Sequence, residues 1–303
     1  MKKILITGAS GVLGHALTQE LANRRSVYVI ATLSRSKDSI NKNFSHYDNV
    51  ESYDLQNLYN GEIDFSSLDC IVHCAFARQQ SGKPLVESVN LTQWIFESAF
   101  QNKVPRVIHI SSQSVYGSYR EVPSWESAPI NPHDLYGMAK YACEKLGNVI
   151  FSGSDTQFVN IRMASLVGLP YPERITNKMV KIALENRKIK IVGGGQIFSF
   201  LHLNDAVSGL LALINTTNCP LQINYNLGTS ERYSIKELAS VIAESVKSQT
   251  GKSVAIDVEK SDIKYAIPLD VSAFASDFQW QAKFTLRDII NEAVESLTSG
   301  KAR

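Results

Sequence analysis

Thr7-Gly8-Ala9-Ser10-Gly11-Val12-Leu13-Gly14 follows the short apolar run Lys3–Thr7 and opens the amphipathic run Val12–Asn23. Glycines at this spacing let a chain turn sharply after a strand, approach a pyrophosphate and pack the next helix closely against the sheet. The first N–H groups of such a helix point at the bound anion. Because strand, glycines and helix coincide, we predict a dinucleotide-binding turn rather than a tight turn without a ligand. Its candidate cofactor residues are Gly8, Ser10, Gly11, Val12, Leu13 and Gly14.

The sequence around this turn alternates β-branched runs with longer amphipathic runs, which is typical of βαβ units and a parallel sheet. Besides Lys3–Thr7, we predict strands at Val27–Ala31, Val50–Tyr53, Cys70–His73, Val107–Ile110 and Phe158–Ile161. The predicted helices are Val12–Asn23, Pro84–Asn102 and Leu135–Val149. The predicted fold class is therefore α/β, with a Rossmann-type doubly wound parallel sheet over residues 1–165.

The second half of the chain has a looser rhythm of loops, short strands and helices. We predict helices at Asn204–Ile214 and Ser234–Lys247, the second opened by a capping box of Ser234 and Glu237. No Pro-rich or low-complexity linker separates the halves. We therefore expect a smaller C-terminal α/β substrate domain over residues 166–303, with some of its segments returning to the cofactor domain.

The composition excludes several classes of protein. Among 303 residues, 44% are hydrophobic, and the formal net charge of +2 is too small for a nucleic-acid binder that works mainly by charge. No apolar run approaches the ~20 residues that span a bilayer, and Gly8 follows too soon for a secretory leader. The four cysteines are scattered, without zinc-ligand spacing. We expect a cytoplasmic protein with reduced thiols and no membrane or nucleic-acid partner.

The second predicted strand runs into Ala31-Thr32-Leu33-Ser34-Arg35. An NAD site usually places an acidic residue about 20 residues after the glycine turn, on the ribose hydroxyls. No acid stands here, and a guanidinium binds phosphate well. Arg35 therefore favours NADP over NAD, although it could also point into water. Asp54 and Leu55, after the third predicted strand, are further cofactor candidates; Asp54 either accepts a hydrogen bond from adenine or caps the next segment.

Tyr136-Gly137-Met138-Ala139-Lys140 places a phenol and an ammonium four residues apart on a predicted helix, so both lie on one face. A neighbouring positive charge favours the phenolate. Since an unperturbed phenol titrates near ~10, a phenolate at neutral pH needs about 4 kcal/mol of stabilisation. The predicted strand ending at Ile110 continues into Ser111-Ser112-Gln113-Ser114. These hydroxyls stand at the carboxyl edge of the sheet, where ligands bind in open α/β folds.

Together these motifs resemble those of the extended short-chain dehydrogenase/reductase family, which includes nucleotide-sugar epimerases, dehydratases and 4-keto-sugar reductases. The resemblance extends over nearly the whole chain and includes Val72-His73-Cys74-Ala75, Phe200-Leu201-His202-Leu203-Asn204-Asp205 and Tyr225-Asn226-Leu227-Gly228. It implies that Cys74 and Ala75 line the nicotinamide side of the cofactor. Counting back four from the tyrosine of Val115-Tyr116-Gly117 places the family's catalytic Ser/Thr at Ser112.

The resemblance implies hydride transfer at a sugar carbon. Tyr136 would be the general acid/base on the substrate oxygen, and Lys140 would hold the nicotinamide ribose and lower the pKa of Tyr136. Ser112 would hydrogen-bond the same substrate oxygen and stabilise its developing charge. The implied partners are a nucleotide-sugar substrate, NADP with NAD as the alternative, and a second copy in a homodimer.

Three departures from the family's pattern bear on the substrate. Family dehydratases carry Asp-Glu after the catalytic Ser/Thr, whereas this chain has Gln113 and Ser114, which argues against dehydration. Ser165 stands where many epimerases have Asn, and Phe198-Ser199-Phe200 lacks the arginine that usually precedes the phenylalanine. In the family, the asparagine and arginine that are missing here usually hold the diphosphate of the nucleotide-sugar. Lys260, Lys264 or Arg174 would have to make these contacts instead.

Two other functions stay open at this point. One is a reductase of a carbonyl compound that is not a sugar, and the other is a non-catalytic regulator that senses NADP. Such regulators commonly lack a catalytic side chain, whereas Ser112, Tyr136 and Lys140 are all present here. A metal site is not predicted, because His73, His109 and His202 lack the spacing of metal ligands.

Overall fold

The computed structural model describes residues 1–24, 26–32, 43–78, 82–168, 174–217 and 220–299. Its strands are β1 (Lys2–Thr7), β2 (Val27–Thr32), β3 (Val50–Tyr53), β4 (Cys70–His73), β5 (Arg106–Ser112), β6 (Gln157–Met163), β7 (Ser165–Val167), β8 (Ile189–Val192), β9 (Ile197–Phe198), β10 (Phe200–His202), β11 (Asn224–Leu227), β12 (Tyr233–Ser234) and β13 (Ile256–Glu259). Its helices are α1 (Val12–Ala22), α2 (Leu55–Tyr59), α3 (Gly82–Gln101), α4 (Leu135–Ile150), α5 (Ile175–Leu184), α6 (Leu203–Asn215), α7 (Ile235–Thr250), α8 (Ser272–Phe278) and α9 (Leu286–Thr298).

A seven-stranded sheet in the order β11-β6-β5-β4-β1-β2-β3 organises the first part of the chain. β1 pairs in parallel with both β2 and β4, and the pairs β2/β3 and β4/β5 are parallel as well. The strand order reverses between β1 and β4, which leaves a crevice at their carboxyl ends. Open α/β sheets bind their ligands in such a crevice. The predicted doubly wound Rossmann-type sheet is confirmed.

The strands of this sheet read as continuous apolar runs because helices cover both faces. All four residues of β4 and all seven of β5 are buried. One apolar cluster joins Leu5 and Ile71 of the strands to Leu91, Ile95 and Phe96 of α3. The predicted helices start and end within three residues of the observed ones, close to the usual uncertainty of helix ends.

The described part of the chain forms two compact units. One comprises residues 1–115, 130–162 and 210–225, and the other comprises residues 116–129, 163–209 and 226–303. The predicted domain boundary near residue 165 stays a prediction, because compactness does not test which part folds alone. None of the helices in the described ranges is both long and apolar enough to cross a lipid bilayer.

The second unit has its own apolar core, formed by α5, α7 and α9 around residues such as Val180, Ile242 and Ile290. The predicted capping box at the start of α7 is confirmed, with the Glu237 N–H donating to Ser234 Oγ at 3.2 Å. In the same unit, Tyr116 of the Val-Tyr-Gly triplet is buried and donates to Asn226 Oδ1 at 2.9 Å.

Candidate active site

The glycine turn after β1 brings backbone segments closer together than side chains would allow. Gly8 has a φ of +73°, in the left-handed region that favours glycine, and a Cβ built on it would lie 2.8 Å from Ala75 Cα. A Cβ on Gly14 would lie 2.3 Å from the carbonyl oxygen of Gly8. The Gly11 N–H also donates to that oxygen, at 2.8 Å. The turn therefore has the close packing that the sequence predicts.

The start of α1 offers backbone donors to an anion. Its N-cap is Gly11, which has no side chain to cap the helix, and its first turn contains no acidic residue. The first N–H groups of a helix have no partner within the helix, so they can receive a pyrophosphate. The residues of the turn therefore fit a dinucleotide cofactor.

A cavity of about 460 Å³ opens beside this turn, and its wall includes six of the predicted cofactor residues. It is lined by Gly8, Ser10, Gly11, Leu55, Tyr59, Cys74, Ala75, Phe76, Ala77, Pro84, Glu87, Ser88, Asn90 and Leu91. The glycine turn forms one wall, the segment after β4 a second, and the first turns of α3 a third. The geometry thus joins the glycine turn to the predicted nicotinamide segment in one space.

The serine segment predicted to be catalytic lies at the carboxyl end of β5. β5 ends at Ser112, and the chain continues in a short 3-10 helix, Gln113–Tyr116. Ser112 Oγ accepts a hydrogen bond from the Ser114 N–H at 3.1 Å and donates to Ser114 Oγ at 3.2 Å. These local bonds hold the Ser112 hydroxyl at the end of the strand.

Helix α4 carries Tyr136 to this same end of β5. Asp134 caps the helix by accepting a hydrogen bond from the Gly137 N–H at 2.6 Å. Gly137 packs directly on the serine segment, because a Cβ there would lie 2.7 Å from the Ser114 carbonyl oxygen. Since Tyr136 adjoins Gly137, this contact brings the tyrosine and the serine segment together.

Lys140 lies one helical turn after Tyr136 and is almost fully buried, with 3% of its surface exposed. Its ammonium donates to the Ile110 carbonyl oxygen at 2.5 Å and lies 6.0 Å from the centre of the Tyr136 ring. Burial lowers the pKa of Lys140 to about 8. The side chain is therefore still mostly protonated at neutral pH and places a positive charge beside the phenol.

The groups around Lys140 do not compete with it for a proton at neutral pH. Burial lowers the pKa of His73 to about 3 and raises the pKa of the Cys74 thiol to about 12, so both are neutral. The ring nitrogens of His73 lie 2.7 Å from Thr7 Oγ1 and 2.9 Å from Thr92 Oγ1.

The other two histidines of the sequence analysis also have side-chain partners. His109 Nδ1 lies 2.9 Å from Asn160 Oδ1, and His202 Nε2 lies 2.7 Å from Glu292 Oε2. Within the part of the chain that the structure describes, no group of three or more His, Cys, Asp or Glu is arranged to hold a metal ion.

Apart from Tyr136 and Lys140, which lie on α4, the predicted cofactor residues divide into four groups. Lining the cavity are Gly8, Ser10, Gly11, Leu55, Cys74 and Ala75. Val12, Leu13 and Gly14 instead form the first turn of α1, behind the lining. Asp54 caps α2, with Oδ1 accepting from the Asn57 N–H at 2.9 Å, so the capping alternative is confirmed and the adenine contact stays a prediction. Arg35, on which the NADP prediction rests, lies outside the described residues.

Sequence reasoning missed a large part of the cavity wall. The missed residues are Tyr59, Phe76, Ala77, Pro84, Glu87, Ser88, Asn90 and Leu91. One signal could have found the residues of α3, because the helix after a strand in a βαβ unit starts at the carboxyl edge of the sheet. No local pattern singles out Tyr59 or Phe76.

The arrangement is suited to proton transfer coupled to a change at an oxygen-bearing carbon. A phenol next to a buried ammonium can give and take a proton, and a serine hydroxyl can stabilise charge on the same oxygen. The neighbouring cavity has the glycine turn and the helix N-terminus that a pyrophosphate requires. Acid/base chemistry and a dinucleotide site therefore meet at the carboxyl ends of β1, β4 and β5.

Comparison with known proteins gives consistent matches over most of the chain. The model of the "NAD dependent epimerase/dehydratase family" matches residues 4–228. The human dTDP-D-glucose 4,6-dehydratase is 24% identical, with 97% of this chain and 89% of that protein covered. The UDP-glucuronic acid 4-epimerase of Bacillus cereus, solved with UDP-glucuronic acid and NAD, has a TM-score of 0.81 at 24% identity, covering 98% of this chain and 99% of that one.

A third match is a dehydratase. The dTDP-glucose 4,6-dehydratase of Bacillus anthracis str. Ames, solved with NAD, has a TM-score of 0.82 at 20% identity and covers 99% of this chain and 98% of that one. At such identities the solved structures establish the fold.

Proposed function

The chain belongs to the NAD dependent epimerase/dehydratase family and is an enzyme of the extended short-chain dehydrogenase/reductase type, and we propose that it transfers hydride at a sugar carbon of a nucleotide-sugar. The reaction would be an epimerisation or the reduction of a 4-keto sugar. The observation that carries the proposal is the buried Lys140 ammonium beside the Tyr136 ring, next to the cavity of the glycine turn.

Each of the three site residues has one task in this proposal. Tyr136 Oη takes the proton from the substrate hydroxyl, or returns it to the keto oxygen. Lys140 keeps a positive charge beside the phenol and so favours its deprotonated form. Ser112 donates a hydrogen bond to the same substrate oxygen. The bound nicotinamide supplies the hydride acceptor and donor.

The substrate class is proposed from the relatives. The matched epimerase binds UDP-glucuronic acid, and the matched dehydratases are named for dTDP-glucose. The argument against dehydration rests on Gln113 and Ser114 alone. The comparisons do not support this exclusion, because dehydratases are among the relatives. Loss of water is therefore one of the outcomes that the experiment must distinguish.

The proposed function is tested by incubating the purified protein with a series of UDP- and dTDP-hexoses and their 4-keto derivatives. An epimerase is expected to form an isomer of unchanged mass without added cofactor. A 4-keto reductase is expected to consume NADH or NADPH in proportion to product. A product lighter by one water would show that the dehydratase exclusion is wrong. Turnover of a non-sugar carbonyl compound alone, or of no compound, would contradict the nucleotide-sugar proposal.

The comparisons support NAD as a cofactor, and we propose the preference for NADP from Arg35. Replacing Arg35 with alanine is expected to weaken NADPH binding about tenfold, because a charged hydrogen-bond partner of the 2′-phosphate is lost. NADH, which lacks that phosphate, serves as the control and should bind both proteins equally. Fluorescence titration of the reduced nucleotides measures both affinities. Tighter binding of NADH than NADPH by the unmodified protein would contradict the preference.

A homodimer is also part of the proposal, on the basis of the family resemblance. The resemblance implies that the copies pair through the helices that begin near Pro84 and Leu135, which are α3 and α4. Apolar side chains remain exposed on both, including Val86 of α3 and Met138 and Val149 of α4. Burial of these side chains against a second copy would remove apolar surface from water.

A further inference from the structure

Phe76 contacts both residues of the proposed acid/base pair. Its ring centre lies 3.8 Å from the Lys140 ammonium and 5.9 Å from the centre of the Tyr136 ring, which it meets edge to face at 80°. Phe76 stands three residues after the end of β4 and lines the cavity of the glycine turn. We propose that Phe76 is a positioning residue whose ring holds the Lys140 ammonium charged and in place beside Tyr136. The catalytic consequence rests on the proposed function.

The physical reason is the burial of the ammonium. Lys140 is 3% exposed, so most of the water that would solvate its charge is excluded. The face of an aromatic ring carries negative charge density and attracts a cation within about 6 Å, most strongly where water is excluded. The Phe76 ring, at 3.8 Å, therefore replaces part of the lost hydration. The Ile110 carbonyl oxygen, at 2.5 Å, supplies a hydrogen bond to the same group.

Ring packing also fixes the direction of the two side chains. The face of the Phe76 ring contacts the Lys140 ammonium, and the same ring packs edge to face with the Tyr136 ring, so it touches two side chains of α4. Edge-to-face packing of two aromatic rings has a preferred geometry. A flexible lysine side chain held on one ring face is restricted in its rotamers. The ammonium thus stays near the phenol.

Besides its burial, which has the largest effect, several titratable groups act on the charge of Lys140 in opposite directions. Glu144, one turn further along α4, favours the ammonium, whereas Arg78, in the segment after β4, disfavours it. In the part of the chain that the structure describes, the other titratable neighbours are Tyr136 and Cys143 on α4, His73 on β4, Cys74 just after it and His109 on β5. Since burial lowers the pKa of Lys140 to about 8, a modest further loss of stabilisation would deprotonate it near neutral pH.

The test measures the titration of Lys140 directly, without substrate or cofactor. The full-length protein is labelled with ¹³C-lysine, and the Lys140 Cε resonance is assigned by its absence in Lys140→Met. Phe76→Leu removes the aromatic face but keeps an apolar side chain, and it is expected to lower the titration midpoint by about half a unit to one unit. The direction follows because the ring stabilises the protonated form. Phe76→Tyr keeps the aromatic face, so the titration midpoint of Lys140 is expected to stay close to that of the unmodified protein.

Phe100→Leu is the matched control, since this partly exposed ring on α3 packs on Phe151, and its replacement should leave the midpoint unchanged. Phe76→Met, which also lacks an aromatic face, replaces the leucine variant if thermal unfolding shows that Phe76→Leu does not fold. Equal midpoints in the unmodified protein and the non-aromatic variant would overturn the proposal, and so would an equal shift in Phe76→Tyr.

The kinetic readout separates this inference from the proposed function. With a turned-over nucleotide-sugar, the alkaline limb of kcat/KM that follows Lys140 is expected to move to lower pH in Phe76→Leu by the same amount as the midpoint. If Phe76→Leu shifts the Lys140 midpoint but the protein turns over no nucleotide-sugar, the role of Phe76 stands and the proposed function is wrong. Turnover with an unchanged midpoint would leave the function standing and the role of Phe76 wrong.

Discussion

Replacing Tyr136 with phenylalanine is expected to lower kcat by a factor of about 10²–10⁴, the usual contribution of a positioned general acid/base. The change removes the hydroxyl and keeps the ring that packs against Phe76 at 5.9 Å. The fold and the position of the Lys140 ammonium should therefore be unchanged. Steady-state kinetics with the nucleotide-sugar that is turned over measures the loss, and KM should change much less than kcat because the proton moves in the chemical step.

Tyr141→Phe is the matched control for this experiment. Tyr141 lies on the same helix, five residues further on, and its ring lies 5.2 Å from the Lys145 ammonium rather than beside Lys140. Removal of its hydroxyl should leave kcat within about twofold. If Tyr136→Phe kept kcat within about threefold of the unmodified enzyme, Tyr136 would not be the general acid/base. Thermal unfolding of both variants shows whether a loss of activity reflects a loss of structure.

The glycine turn could be predicted from sequence because its causes are local. The positive φ of Gly8 and the short distance between Gly14 and the Gly8 carbonyl arise within eight residues of chain. The position of Ala75 against Gly8 follows in turn from the pairing of β1 with β4, two strands that the apolar runs predict. Strand, turn and helix therefore agree with one another, and such agreement is what local patterns can reveal.

The edge strand β11 and the contact of Phe76 with the site could not be predicted from local patterns. β11, Asn224–Leu227, contains two asparagines and no β-branched residue, so its propensity does not indicate a strand. Its place in the sheet depends on pairing with β6, which is distant in sequence. Phe76 reads as an ordinary apolar residue until α4 brings Lys140 onto its ring. Contacts of this kind depend on tertiary structure.

The position of Ser112, Tyr136 and Lys140 was predicted through the family resemblance rather than from spacing. Spacing alone places Tyr136 and Lys140 on one face of α4. The structure adds the reason that this face meets the serine segment, which is the close contact of Gly137 with the Ser114 carbonyl. This contact requires a glycine at position 137, and no local pattern in the sequence indicates the Ser114 carbonyl as its partner.

Replacing Arg162 with methionine is expected to lower the free energy of unfolding by about 3–5 kcal/mol, the cost of leaving one member of a buried ion pair unpaired. Arg162 of β6 and Glu144 of α4 are 4% and 1% exposed, and their side chains meet at 2.7 Å and 3.0 Å. Ser111 Oγ also donates to Glu144, at 2.5 Å. The pair thus fixes α4 to β5 and β6 one turn after Lys140. Urea unfolding measures the loss.

Arg187→Met is the matched control, because Arg187 and Glu185 form an ion pair of 2.6 Å at the surface, 61% and 43% exposed. Solvent screens such a pair, so its loss should cost at most about 1 kcal/mol. In Arg162→Met combined with Glu144→Met, no unpaired charge remains, and part of the lost stability should return. The Ser111 hydroxyl then lacks its acceptor, which accounts for about 1–3 kcal/mol that does not return. If Arg162→Met cost no more than Arg187→Met, water would have to reach Glu144 despite its burial, and the pair could not be what holds α4 against the strands.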